Sequence, residues 1–244
     1  MSGANEPGAG GRHSVEEVLP QGEEKRKAVQ SMFDTIAPRY DLVNRVMTFR
    51  MDVRWRKRTV RDLGLAPGSV VLDLASGTGD LCHDLGRAGH RPVATDLSFG
   101  MLDHATHGFP RLQGDGLALP FRDGALDGAT CGFALRNFVA LPPMLAELAR
   151  VVRPGGRIAL LDVSAPTNPV LKAGHALYFG KVVPLVGGLL SDKAAYRYLP
   201  RSVAYLPPPQ QLVAEVREAG FEAVERAQLS TGISQLITAT RSAS

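Results

Sequence analysis

The sequence predicts an α/β fold: a seven-stranded, mostly parallel sheet flanked by helices, with extra helices before it and a helical lid inserted late. Three observations predict this. Short apolar runs at 69–75, 92–96, 112–114, 126–133 and 157–163 alternate with helical patterns, the rhythm of parallel βαβ units. The first run is apolar at nearly every position, as a strand covered on both faces must be. It leads into the turn Gly77-Thr78-Gly79, and the second run ends on an acid, Asp96, 19 residues after Gly77. A chain of 244 residues, 44% hydrophobic and 21% charged, suits one large globular domain of this kind and excludes collagen, coiled coil and wholesale disorder.

The elements follow in order. Residues 1–22 are glycine-rich without an apolar period and read as a disordered tail. From 23 to 64 the pattern is helical: Val29, Met32, Phe33 and Ile36 form one stripe at the 3.6-residue period. Pro38, which lacks an amide hydrogen, interrupts it, and a second helix is predicted at 51–63. After the first strand and its glycine turn, a helix runs to 88. Ser98 is placed to cap a helix through 104. A helix at 141–152 precedes the turn Pro154-Gly155-Gly156 and the fifth strand. Residues 165–206 break the rhythm. They are apolar, proline-punctuated and carry Tyr178, Phe179, Tyr196, Tyr198 and Tyr205, which suits a lid or substrate pocket. A helix at 209–219 and strands at 222–229 and 234–240 complete one domain spanning 23–244.

Charge is unevenly placed. Residues 1–24 carry one base and five acids, residues 25–61 eleven bases and three acids, and residues 62–244 sixteen of each. All the positive excess therefore lies in one segment, which favours an anionic partner or a solvated helix face. A peripheral contact with an anionic membrane is one expectation. Nucleic acid is not, because no recognition motif accompanies the bases. No apolar run approaches the ~18 residues of a membrane span, and no secretory pattern opens the chain, so the expected location is cytoplasmic. Two cysteines, Cys82 and Cys131, cannot build a disulfide framework. His83, His90, His104 and His107 lack ligand-spaced partners, so no metal is expected.

The strongest constellation joins Asp73, Gly77, Thr78, Gly79 and Asp96. Glycines after a first parallel strand let backbone approach a ligand, and an acid ~20 residues on accepts ribose hydroxyls. That predicts an adenosine-containing cofactor. A dinucleotide site would need a third glycine where Cys82 stands, and the acids Asp73 and Asp80 would repel a pyrophosphate. They suit the ammonium and sulfonium of S-adenosylmethionine. Asp115 and Gly116, after the third strand, are placed to meet an adenine, or to make a plain turn.

With those residues in view, the sequence resembles the menaquinone/ubiquinone C-methyltransferase family, within the Rossmann-like S-adenosylmethionine-dependent methyltransferases of seven-stranded class. The likeness rests on Met32-Phe33-Asp34, Arg39-Tyr40-Asp41-Leu42, the glycine loop, Leu135-Arg136-Asn137, Arg153-Pro154-Gly155-Gly156 and Tyr196-Arg197-Tyr198-Leu199. It implies methyl transfer to a ring carbon of a lipophilic, polyprenylated quinol such as demethylmenaquinol, with cofactor positions at Thr78, Asp96, Asp115 and Gly116. A homodimer is compatible with it. Gly132 stands where the family usually has serine, Ala134 where it has glycine, and Asp162 where it has glutamate.

From the end of the fourth strand, Arg136 and Asn137 are expected to face the quinol oxygens, with Tyr40 closing the pocket. A structural salt bridge is the other reading of Arg136. The rival functions are methylation of a small aromatic or polyketide metabolite, a non-catalytic cofactor-binding module, and a dinucleotide oxidoreductase.

Overall fold

The computed structural model describes residues 21–105, 108–164, 166 and 202–243. The predicted tail up to residue 20 lies outside the described residues, as do His107 and nearly all of the predicted lid, including Tyr178, Phe179, Tyr196 and Tyr198.

Seven strands form one sheet: β1 (Val70–Leu74), β2 (Arg91–Asp96), β3 (Arg111–Gln113), β4 (Leu126–Gly132), β5 (Val152–Val163), β6 (Phe221–Leu229) and β7 (Ser234–Arg241). Their order is β3-β2-β1-β4-β5-β7-β6. The first five pair in parallel, and β7 runs antiparallel between β5 and β6. Helices α4 (Asp80–Arg87), α5 (Phe99–His104), α6 (Leu141–Val151) and α7 (Pro209–Glu218) connect them. Strand alternation sorts β1 between two cores. Leu72 and Leu74 pack with Met144, Leu145 and Leu148 of α6 and Leu212 and Val216 of α7. Val71 packs on the other face with Trp55, Val60, Leu63, Leu81 and Leu85. Asp73 shares the face of Val71, which matters for the site below.

Two differences from the sequence reading have clear causes. The N-terminal segment makes three helices: α1 (Gly22–Ile36), α2 (Tyr40–Met47) and α3 (Met51–Leu63). Pro38 ends α1 but opens a short 3₁₀ turn, Ala37–Arg39, where its missing amide hydrogen is not needed, and α2 follows at once. The second difference is the Pro154-Gly155-Gly156 turn, which lies inside β5 as an irregularity. Leu126 faces Val152, whereas Gly128 already faces Arg157. A Cβ at Gly156 would sit 2.6 Å from the Asp127 carbonyl, so only glycine lets the strand pass. The same region anchors α3: Arg157 donates to the Leu63 carbonyl at 2.5 Å and the Asp62 carbonyl at 3.3 Å, satisfying the helix end beside Gly64.

Candidate functional site

The strand order reverses between β1 and β4, and a pocket opens beyond their carboxyl ends, where α/β sheets bind ligands. Three loops line it: Ala75 and Gly77 after β1, Asp96 to Ser98 after β2, and Gly114 to Leu117 after β3. Gly132, Phe133, Ala134, Asn137 and Phe138 enter after β4.

Asp96 is the polar centre of the pocket. One carboxylate oxygen accepts the Gly77 amide and the other the Ser98 amide, each at 2.8 Å. Each oxygen keeps a further lone pair for a ligand. Burial, helped by the nearby Asp34 charge, pushes its pKa above the usual carboxylate value, against those amides. Asp115 accepts the Leu117 amide at 3.0 Å, a local turn that holds its side chain at the wall. Gly116 is a packing requirement: a Cβ there would lie 2.6 Å from the Phe138 ring. Gly79, at φ 85°, turns the loop into α4, and a Cβ there would overlap the Phe109 ring.

α1 supplies the opposite wall with Val29, Gln30 and Phe33. It is fastened at three places. Gln30 donates to the Leu97 carbonyl at 3.2 Å. Asp34 accepts the Ser98 hydroxyl at 2.5 Å and the Gly100 amide at 2.9 Å. Lys25 is buried, donates to the Phe138 carbonyl at 2.6 Å and lies 3.6 Å over the Tyr205 ring; burial pulls its pKa down to about 8. Tyr40, at the start of α2, meets Phe33 edge to face at 5.9 Å. Burial raises its phenol pKa, so it stays protonated and able to donate.

Gly77, Asp96, Asp115, Gly116, Tyr40 and Asn137 thus meet around one space, and all six line it. Four expected residues do not line it, each for a physical reason. Asp73 is turned onto the α4 face, where it accepts Thr130 Oγ1 at 2.9 Å and Cys82 Sγ at 3.4 Å, and burial raises its pKa to about 7. The Thr78 hydroxyl donates to Asp41 of α2 at 2.6 Å. Gly79 is buried under Phe109. Arg136 is 7% exposed and its guanidinium is paired with the fully buried Asp162. It also donates to the Phe133 carbonyl at 2.6 Å and Ser202 Oγ at 3.1 Å. The expectation that Arg136 faces the acceptor is therefore corrected: it sits behind the wall that presents Phe133, Ala134 and Asn137.

The charge argument for the cofactor also shifts to other residues. Asp80 is bound by Arg56 at 3.1 Å and Arg45 at 3.5 Å, so neither Asp73 nor Asp80 faces the pocket. Asp96 and Asp115 do, and Arg26 is the one base on the described lining. Two carboxylates beside an apolar wall of Leu97, Met101 and Phe138 fit a nucleoside bearing cationic groups better than a pyrophosphate. The Ser76 hydroxyl in the loop is buried without a hydrogen-bond partner, a polar valence the protein itself leaves open. Among the described residues no group of His, Cys, Asp or Glu is arranged to hold a metal. Both cysteines are buried and free.

Sequence reasoning missed Lys25, Gln30 and Asp34, the fastenings of α1. Their one signal is that Asp34 directly follows Phe33, a polar residue placed where the apolar stripe turns toward the pocket.

Comparison with known proteins agrees with this fold. The sequence model of the ubiE/COQ5 methyltransferase family matches residues 21–241. A demethylmenaquinone methyltransferase of Corynebacterium kroppenstedtii is 39% identical over 221 residues, 90% of this chain and 96% of that one. A demethylmenaquinone methyltransferase of Thermus thermophilus is 44% identical over 202 residues, covering 78% of this chain and 91% of its own. Among solved structures, a SAM-dependent methyltransferase from Thermotoga maritima superposes with a TM-score of 0.64 at 18% identity, covering 87% of this chain and 99% of that one, which is a likeness of fold.

Proposed function

The chain belongs to the ubiE/COQ5 methyltransferase family and uses S-adenosylmethionine to methylate carbon in quinone biosynthesis, and from this we propose that its acceptor is the ring of a polyprenylated demethyl-quinol, demethylmenaquinol. The observation that carries the proposal is a pocket whose lining combines two carboxylates, Asp96 and Asp115, with the aromatic residues Phe33, Tyr40, Phe133 and Phe138 and one base, Arg26.

When bound, S-adenosylmethionine supplies a methyl group already activated by its sulfonium. The chain's own task is to bind, orient and exclude water. In this reading Asp96 accepts the ribose hydroxyls through its remaining lone pairs, and Asp115 orients the adenine. Gly77 and Gly116 allow the close backbone approach. Asp73, Thr78 and Gly79 support the same loop from beneath. Tyr40 and Asn137 face the acceptor, where a protonated phenol and an amide stabilise the phenolate oxygen left when a quinol hydroxyl gives its proton to water, the charge that then flows into the ring carbon taking the methyl. Arg136 positions Asn137 through its carbonyl and carboxylate partners. Residues 23–244 act as one methyltransferase domain. The described residues contain no helix long and apolar enough to cross a membrane.

The test is methyl transfer from labelled S-adenosylmethionine to demethylmenaquinol beside a panel of simple phenols. Label in the quinone ring is expected. Label in the phenols with none in the quinol overturns the acceptor assignment and favours a small aromatic metabolite.

A further inference from the structure

Helix α2 leaves apolar side chains in the open. On its protein side Asp41 accepts the Thr78 hydroxyl, and Thr48, just past its end, donates to Asp52 at 2.6 Å. On its outer side Leu42 is 56% exposed and Val46 43%, one turn apart, and Phe49 beyond them is 72% exposed. A surface helix ordinarily turns its apolar stripe inward. The chain also holds Phe49 outward at a conformational cost. Phe49 and Arg50 both take left-handed backbone angles, φ 50° and 60°, which residues with a Cβ avoid.

The surroundings are of one sign. Between residues 39 and 61 seven bases are exposed and no acid is. Arg50, Arg54, Lys57 and Arg61 recur along one face of α3, three to four residues apart. Arg50, Arg54 and Lys57 have no acidic partner among the described residues. Exposed apolar side chains beside unpaired bases match an acyl boundary beneath anionic headgroups. An acidic protein would satisfy the charge but gives no reason for three exposed apolar side chains. The helix also begins at Tyr40, which lines the pocket.

We propose that Leu42, Val46 and Phe49, with Arg50, Arg54 and Lys57, form the face by which this chain seats on an anionic lipid bilayer, with its pocket beside the surface. Its purpose rests on the quinol reading, but its test does not.

The full-length protein is sedimented with phosphatidylglycerol vesicles and, separately, phosphatidylcholine vesicles, at low and high salt. Wild type is expected to pellet with the first at low salt and not with the second. Leu42→Ser/Phe49→Ser and Arg54→Gln/Lys57→Gln are each expected to weaken binding ~tenfold or more, because each removes one of the two contributions. Both variants change exposed residues and are checked for an unaltered melting temperature. On a quinol with a truncated, water-soluble tail they are expected to turn over as wild type does, and on vesicle-embedded prenylated quinol more slowly. Vesicle binding that persists while no quinol is methylated overturns the acceptor and leaves the face standing. Wild type that ignores phosphatidylglycerol vesicles at low salt, or variants that bind as well as wild type, overturn the face. A Phe49-dependent dimer without vesicle binding overturns it in favour of a second copy of the chain.

Discussion

Asp162 and Arg136 form a buried pair whose loss has a calculable cost. Asp162 is 0% exposed and Arg136 7% exposed. Converting Asp162 to Ala removes the carboxylate and leaves a buried guanidinium whose remaining partners among the described residues are the Phe133 carbonyl and Ser202 Oγ. Breaking such a pair from one side costs ~3–5 kcal/mol. In a chain of this size each 1 kcal/mol moves the melting temperature by ~2–4 °C, so the expected fall is roughly 6–20 °C. Arg136→Met should fall comparably, because it strands the carboxylate, which among the described residues then keeps the Val163 amide at 2.7 Å and the residue 136 amide. The double variant Arg136→Met/Asp162→Leu removes both charges together and should regain at least half of the loss. Thermal and denaturant unfolding measure all four proteins, and kcat and KM are read at a temperature where each is folded. A purely positioning Arg136 predicts that stability and turnover decline together and partly recover together in the double variant. Arg136→Met at wild-type stability with turnover down ~tenfold or more would put the guanidinium on the acceptor and refute this reasoning.

Four further outcomes follow from the site. Burial raises the Asp73 pKa to about 7 from an unfolded value near ~3.9, so the folded chain holds a proton the unfolded chain has released, and this group lowers stability as pH rises from ~4 to ~7. Asp73→Asn should flatten that decline in the ligand-free protein by up to ~4 kcal/mol, and parallel pH profiles for the two proteins would exclude the assignment. Gly79→Ala drives a Cβ into the Phe109 ring at a left-handed backbone position and should cost ~2–4 kcal/mol along with cofactor affinity; calorimetry showing normal adenosylhomocysteine binding would contradict it. Lys25→Met removes a charge-assisted bond that fastens α1 over the pocket, worth ~1.5–3 kcal/mol, so KM for the cofactor should rise ~tenfold, and an unchanged KM removes Lys25 from the fastening. Gly132→Ser should be tolerated within ~1 kcal/mol, because a Cβ there meets only Leu81 at 3.6 Å; a melting temperature lowered by more than a few degrees would show the space is not there.

Local periodicity and turn chemistry made the sheet legible in the sequence. Apolar runs near 70, 91, 126 and 157, punctuated by Gly77, Gly79 and Gly155, announce parallel strands and tight turns from neighbours alone. Ser98 as a cap is a contact three residues long, Ser98 Oγ to the Met101 amide, and was readable for that reason. Helix α2 was not, because a proline that ends one helix leaves open whether another begins on its far side. Which acid faces the cofactor pocket was not readable either. Asp73 and Asp96 are both carboxylates at strand carboxyl ends, yet one is turned under α4 and the other into the pocket. That choice depends on strand alternation and on Cys82 and Thr130, brought in by packing.

By itself, then, the sequence determined the run of strands along the chain and, through short motifs, its resemblance to the family, because each is written in residues within a few positions of one another. Only the tertiary structure decided that Arg136 spends its charge on Asp162, 26 residues away, and that Lys25 reaches Phe138 across 113. A long side chain's partner is set by whichever buried group lies within reach after the sheet closes, and desolvation makes that pairing obligatory once both are inside.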